Sequence, residues 1–216
     1  MKIRISYQPQ QLPPPYAYAA VLVVETEKMN AQFELEYLGR DVVSDDELRA
    51  EGFTRDDDFQ WSGHLDQKWK KDIEGLTTMD MDSNPDADIY AHVDLNGKAL
   101  GFPRNINHAD LIFQEVLQSI LELAGLEMPL TSLCLISNKK YDLTWNFSKR
   151  TIDVNTNESE KWEDGREVIK LIYDSDFDSF QYSKKPTDPS VNPGDGRWYH
   201  VPKKYAAELK SLIERL

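Results

Sequence analysis

Apolar and polar residues alternate with period two in several short runs, and these runs predict the strands of the protein. Phe33, Leu35 and Tyr37 alternate with Gln32, Glu34 and Glu36, which gives one buried and one wet face. Ala17 to Val24 is apolar on both faces and suits a more central strand. Few residues separate the two runs, so they are expected to pair antiparallel through a loose turn. Ile89, Ala91, Val93 and Leu95 alternate with Tyr90, His92 and Asp94, and Asn96-Gly97 follows. A type I′ turn needs two positive φ angles, so this dipeptide predicts a hairpin with Lys98 to Phe102 as the return strand. A second hairpin is predicted at Ser148-Lys149, with Tyr141, Leu143, Trp145 and Phe147 before it and Ile152 and Val154 after it. The apolar run Val168 to Tyr173 is read as a further strand.

Period-four patterns predict helices between these strands. Ser44-Asp45-Asp46-Glu47 has the form of a capping box, in which hydroxyl and carboxylate satisfy free N–H groups at a helix start. That helix is expected to stop at Gly52. Trp61, Leu65, Trp69 and Ile73 recur every four residues and read as an apolar stripe on a second helix. Asn107 is the expected N-cap of a third, deeply buried helix that runs to Gly125 (residues 107–125). A C-terminal helix starts near Pro202, with Tyr205, Leu209, Leu212, Ile213 and Leu216 on its inner face. Hairpins with solitary helices indicate an α+β fold, an antiparallel or mixed sheet packed by three to four helices. The expectation is a single domain over residues 1–216, with a weak lobe boundary near 77–88. One long irregular segment, Ser183 to Arg197, is rich in proline and glycine, and loops of this length are usually functional or disordered.

Charge changes this picture in one place. The formal net charge over 216 residues is -13. Between Asp41 and Asp94 there are 16 Asp and Glu against 5 Lys and Arg, so the rest of the chain is close to balanced. An acidic chain is a poor partner for a phosphate backbone, which excludes nucleic acid as the expected ligand. The plain reading of this charge is a solvated face; a contact surface for a basic protein and a cation site are the functional readings. Cys134 is the one cysteine, so no internal disulfide forms. No signal-like h-region follows Met1, and no apolar run is long enough for a membrane span. The expected location is cytoplasmic.

The candidate chemistry is sparse. Asp80, Asp82, Asn84, Asp86 and Asp88 place oxygens at every second position, as hard cations require. The EF-hand pattern fails here, because Pro85 and Ala91 stand where Gly and Glu are needed. Asp174, Asp176 and Asp178 form a similar set beside the Val168–Tyr173 run, where guarding of a sheet edge is the simpler explanation. His92 lies two residues from Asp94 and could act as a base with an orienting carboxylate, although the sequence indicates no nucleophile nearby. His64 and His200 have no zinc-ligand spacing, and His108, in the first turn of a helix where a positive charge is slightly unfavourable, reads as a surface residue. Trp162, Trp198 and Tyr199 lie beside loops, where exposed rings serve as contact anchors. They can equally cap the core.

Two functions follow as expectations. The favoured one is a non-enzymatic binding or interaction protein that presents an acidic surface, including Asp56, Asp57 and Asp58 with Trp162, Trp198 and Tyr199, to a basic protein partner. The alternative is a metal-dependent hydrolase built on the Asp80–Asp88 or Asp174–Asp178 carboxylates, with a divalent cation as cofactor. The favoured reading needs no cofactor.

Overall fold

The computed structural model describes every residue except Asp174, and at Asp178 the backbone alone. It is an α+β protein, with two antiparallel sheets and five helices among the described residues. The chain divides into two compact units, residues 1–124 and 125–216, and the connector at 77–88 lies inside the first.

The first unit contains β1 (Lys2–Pro9), β2 (Tyr18–Glu25), β3 (Asn30–Tyr37), α1 (Asp45–Ala50), β4 (Phe59–His64), α2 (Lys70–Leu76), β5 (Met81–Asp82), β6 (Ile89–Leu95), β7 (Lys98–Pro103) and α3 (Ile106–Leu123). Its sheet runs in the order β4-β3-β2-β1-β6-β7-β5. The predicted hairpins are present: β2 pairs with β3 from Tyr18↔Tyr37 to Glu25↔Asn30, and Asn96 and Gly97 turn β6 into β7 at φ 52 and 80. Alternation sets the inner face. Ile3, Ile5 and Tyr7, Ala20, Leu22 and Val24, Phe33, and Ala91 and Val93 are all buried. Helix α3 contributes Ala109, Ile112, Phe113, Val116 and Ile120 to this core, and Phe113 stacks on Tyr7 with ring centroids 4.0 Å apart.

Two expectations in this unit are corrected. The Trp61–Ile73 stripe is not one helix. Trp61 lies in β4 opposite Phe33, and the helical part begins only after Asp66, in a short 3-10 turn that leads into α2. Pairing with β3 outweighs a period of four that strand and helix share by coincidence. The N-cap of α3 is Asn105, whose side chain accepts from the His108 N–H, rather than Asn107.

The second unit contains β8 (Leu130–Ile136), β9 (Lys139–Asn146), β10 (Thr151–Val154), β11 (Asn157–Ser159), α4 (Trp162–Tyr173), β12 (Tyr182–Ser183), β13 (Ser190–Asn192), β14 (Trp198–His200) and α5 (Lys203–Ile213). Its sheet order is β11-β10-β9-β8-β13-β14-β12. The β9–β10 hairpin lies where the pattern placed it, with Tyr141, Leu143, Trp145 and Ile152 in the core. Val168 to Tyr173 is the last part of helix α4, not a strand. Its buried residues Trp162, Gly165, Val168 and Ile172 are spaced by three and four, the helical period. The segment from Ser183 to Arg197 contributes β13 to the sheet, and Asp188 in it accepts from the Ser137 and Asn138 N–H groups at 2.8 Å each, which clamps the β8–β9 turn.

Candidate binding surface

Between β3 and β4 the chain makes a long excursion, residues 38–58, that carries most of the exposed acid of this region. Arg40 holds it. The Arg40 guanidinium is buried, donating from Nη1 to the Thr54 carbonyl and to Asp57 Oδ2 at 2.7 Å each, and from Nε to the Pro15 carbonyl at 3.2 Å. The rings of Tyr37 and Phe53 lie 3.5 and 4.5 Å from its central carbon. Planar, delocalised and weakly hydrated, a guanidinium suits such a stacked and buried position better than an ammonium.

Other contacts fix the rest of the excursion. Asp57 accepts from the Thr54 N–H at 2.7 Å and from the Thr54 hydroxyl. Those bonds, chiefly the hydroxyl one, together with Arg40 hold its carboxyl below the usual Asp range. Asp58 accepts from the Tyr37 N–H at 2.9 Å. Arg55 donates to Asp45, to the Arg40 carbonyl and to the Val43 carbonyl. The capping box on α1 is formed by Ser44 and Glu47, and Tyr16 donates to Glu51 at 2.5 Å. Arg40 is therefore buried inside the excursion and Arg55 is bonded along it while remaining exposed, and Asp41, Asp46, Glu51 and Asp56 are exposed on its outside. Glu34 and Glu36 extend the same sign onto the exposed face of β3.

The other candidate residues do not join this surface. Trp162, Trp198 and Tyr199 are 2, 8 and 5 % exposed within the second unit. Trp162 packs edge-on against Phe147, and Tyr199 lies tilted against Phe177, so these rings cap the core and are not exposed contact anchors. In the 80–88 connector the oxygens serve separate local bonds. Asp82 pairs with Arg104 at 3.1 Å, Asp86 accepts from the Asp88 and Ile89 N–H groups, and Asp88 accepts from Gln11. Asp80 and Asn84 are exposed. Asp176 is exposed ahead of a short 3-10 turn, and Asp174 and the Asp178 side chain lie outside the described residues. Among the described residues no three His, Cys, Asp or Glu side chains gather as a metal site requires.

His92 Nδ1 lies 3.7 Å from Asp94 Oδ1, and in register Ser6 stands opposite His92. Sequence spacing could not show that Ser6 would stand there. The His92 ring packs edge-on against Phe102, and no hydrogen bond joins it to Ser6 among the described residues, so the arrangement lacks the contact that activates a nucleophile. Cys134 is fully buried, and burial pushes its thiol up to about 12. A thiol reagent is expected to label it only as the second unit opens. Its labelling rate in native buffer should lie orders of magnitude below that of the chain in denaturant, and equal rates would contradict the burial.

The fold class is thus that of a two-unit α+β protein with an ordered acidic excursion on its first sheet. No family model, no curated protein and no solved structure matches the chain. Among the described residues no helix is long and apolar enough to cross a membrane.

Proposed function

We propose that the chain is a binding protein whose first unit presents the 38–58 excursion, with Glu34 and Glu36, as a fixed acidic surface for a basic protein partner. The supporting observation is that Arg40 is buried within the excursion and Arg55 is tied to its backbone and to Asp45. Both cations are engaged with backbone carbonyls and with Asp57 and Asp45, which orders the segment and leaves a negative field outside it. A surface ordered beforehand loses little conformational freedom on binding, and a field of one sign speeds the encounter with an oppositely charged partner. The pairs formed by exposed residues such as Arg49 and Asp46 contribute little to stability, so the acids not bonded inside the excursion can be neutralised without loss of the fold.

The test uses a lysine-rich model peptide and a variant carrying Asp41→Asn, Asp46→Asn and Asp56→Asn. The unmodified protein is expected to bind the peptide with an affinity that falls steeply with salt, as screening shortens to about 10 Å at 0.1 M. The variant should keep its melting temperature and lose most of that salt dependence. Binding that ignores both salt and the three substitutions would rule the surface out.

A further inference from the structure

The sheets of the two units have four edges, and three of them are very short. β5 has 2 residues, β11 has 3 and β12 has 2, whereas β4 has 6. Short edges are one of the ordinary defences against unwanted pairing; edge lysines, prolines and bulges are the others. Phe59 to His64 has none of them. It contains no Asp, Glu, Lys, Arg or Pro, and its register with β3 is regular throughout. The Leu65 N–H bonds to the Met29 carbonyl, so in the alternating pattern of an antiparallel pair the odd-numbered residues of β4 face β3. Gln60, Ser62 and His64 therefore turn their N–H and C=O groups outward. All three are exposed, and among the described residues β3 is the one strand bonded to β4.

We infer that β4 takes an extended, lysine- or arginine-bearing segment of the partner as an added strand, with basic side chains on the outer face of the sheet. This rests on the acidic-surface reading and specifies how the partner is held. Charge complementarity selects the occupant. Glu34 lies one strand in, opposite Gln60, and Asp56 to Asp58 lead directly into the edge. Backbones two strands apart are about 9–10 Å from one another, within reach of a long basic side chain lying over the sheet.

A hollow of about 400 Å³ opens on the same face, lined by Lys2, Glu25, Asn30, Ser62 and His64 among others. A guanidinium or ammonium entering it would meet the Glu25 carboxylate, with Lys2 the one opposing cation in the lining. A second copy of the chain is a poorer occupant, since each copy carries a net charge of -13.

The test measures binding of a short labelled peptide of alternating lysine and valine by fluorescence anisotropy. A second peptide of identical charge carries N-methyl groups at alternate residues, which removes the donors on one edge. N-methylation is expected to weaken binding about tenfold or more, the effect of losing several backbone hydrogen bonds. Ser62→Pro deletes one outward N–H at a position where an edge strand tolerates proline, and it should weaken the parent peptide to a similar degree. Should Ser62→Pro fail to fold, the two peptides on the unmodified protein still decide the matter. Equal binding of both peptides, with affinity lost on neutralising Asp41, Asp46 and Asp56, would overturn the added strand and leave the acidic surface standing. Failure of both peptides to bind at low salt would overturn both readings. Self-association abolished by Ser62→Pro would give the edge to a second copy and overturn the basic segment as its occupant.

Discussion

Arg40→Ala is expected to destabilise the first unit by about 3–4 kcal/mol, measured by urea unfolding, and to open the 38–58 excursion to protease. The substitution removes the donors to the Pro15 and Thr54 carbonyls and the partner of Asp57, together with the group against Tyr37 and Phe53. Breaking a buried, hydrogen-bonded ion pair from one side costs about 3–5 kcal/mol. The lower end applies, because the Asp57 side chain is 31 % exposed and keeps its bonds from Thr54. Arg40→Met retains the stacking volume and should recover about 1 kcal/mol of the loss. Equal stability of Arg40→Ala and the unmodified chain would show that the guanidinium does not hold the excursion.

The same cluster gives a pH dependence. The folded pKa of Asp57 is depressed, so its stabilisation is fully present above the ordinary value of 3.8 and is lost as pH falls through the depressed one. Acid should therefore loosen the excursion, and Asp57→Asn should remove that part of the acid sensitivity.

What could be read from the sequence divides along the range of the interactions. The β2–β3, β6–β7 and β9–β10 hairpins were legible because period-two alternation and the Asn96-Gly97 turn are local signals. Helix α4 was missed because its second half carries the β-branched Val168, Ile169 and Ile172 and its first half contains Gly165, which local propensity counts against a helix. The acidity between Asp41 and Asp94 was visible, but the device that orders its first part was not. Arg40 stands between Gly39 and Asp41 with no periodic signal, and its partners Thr54, Asp57 and Pro15 lie 14, 17 and 25 residues away. The open edge was hidden for a related reason. Phe59 to His64 acquires its edge position only through pairing with β3, which the helical reading of Trp61 obscured.

Gly165→Ala should cost the second unit about 2–3 kcal/mol, although alanine is the better helix former by about 1 kcal/mol. A Cβ at this position would lie 1.6 Å from Ile152 Cδ1 and 2.9 Å from Ile152 Cγ1. Ile152 is fully buried, as is Trp145, whose indole N–H donates to the Gly165 carbonyl at 3.2 Å. Relief requires Ile152 to leave its rotamer or α4 to move off β10; either change loosens close-packed atoms, and the second also stretches the indole bond. This close approach is the physical reason for a glycine inside α4. Ile152→Val removes the atom in closest conflict and alone costs about 0.5–1.5 kcal/mol. In the double variant the two changes should offset one another, with a total at least about 1 kcal/mol below the sum of the single losses. Urea unfolding of the four proteins checks this. Additivity within about 0.5 kcal/mol would mean that Gly165 is needed for something other than the approach of α4 to β10.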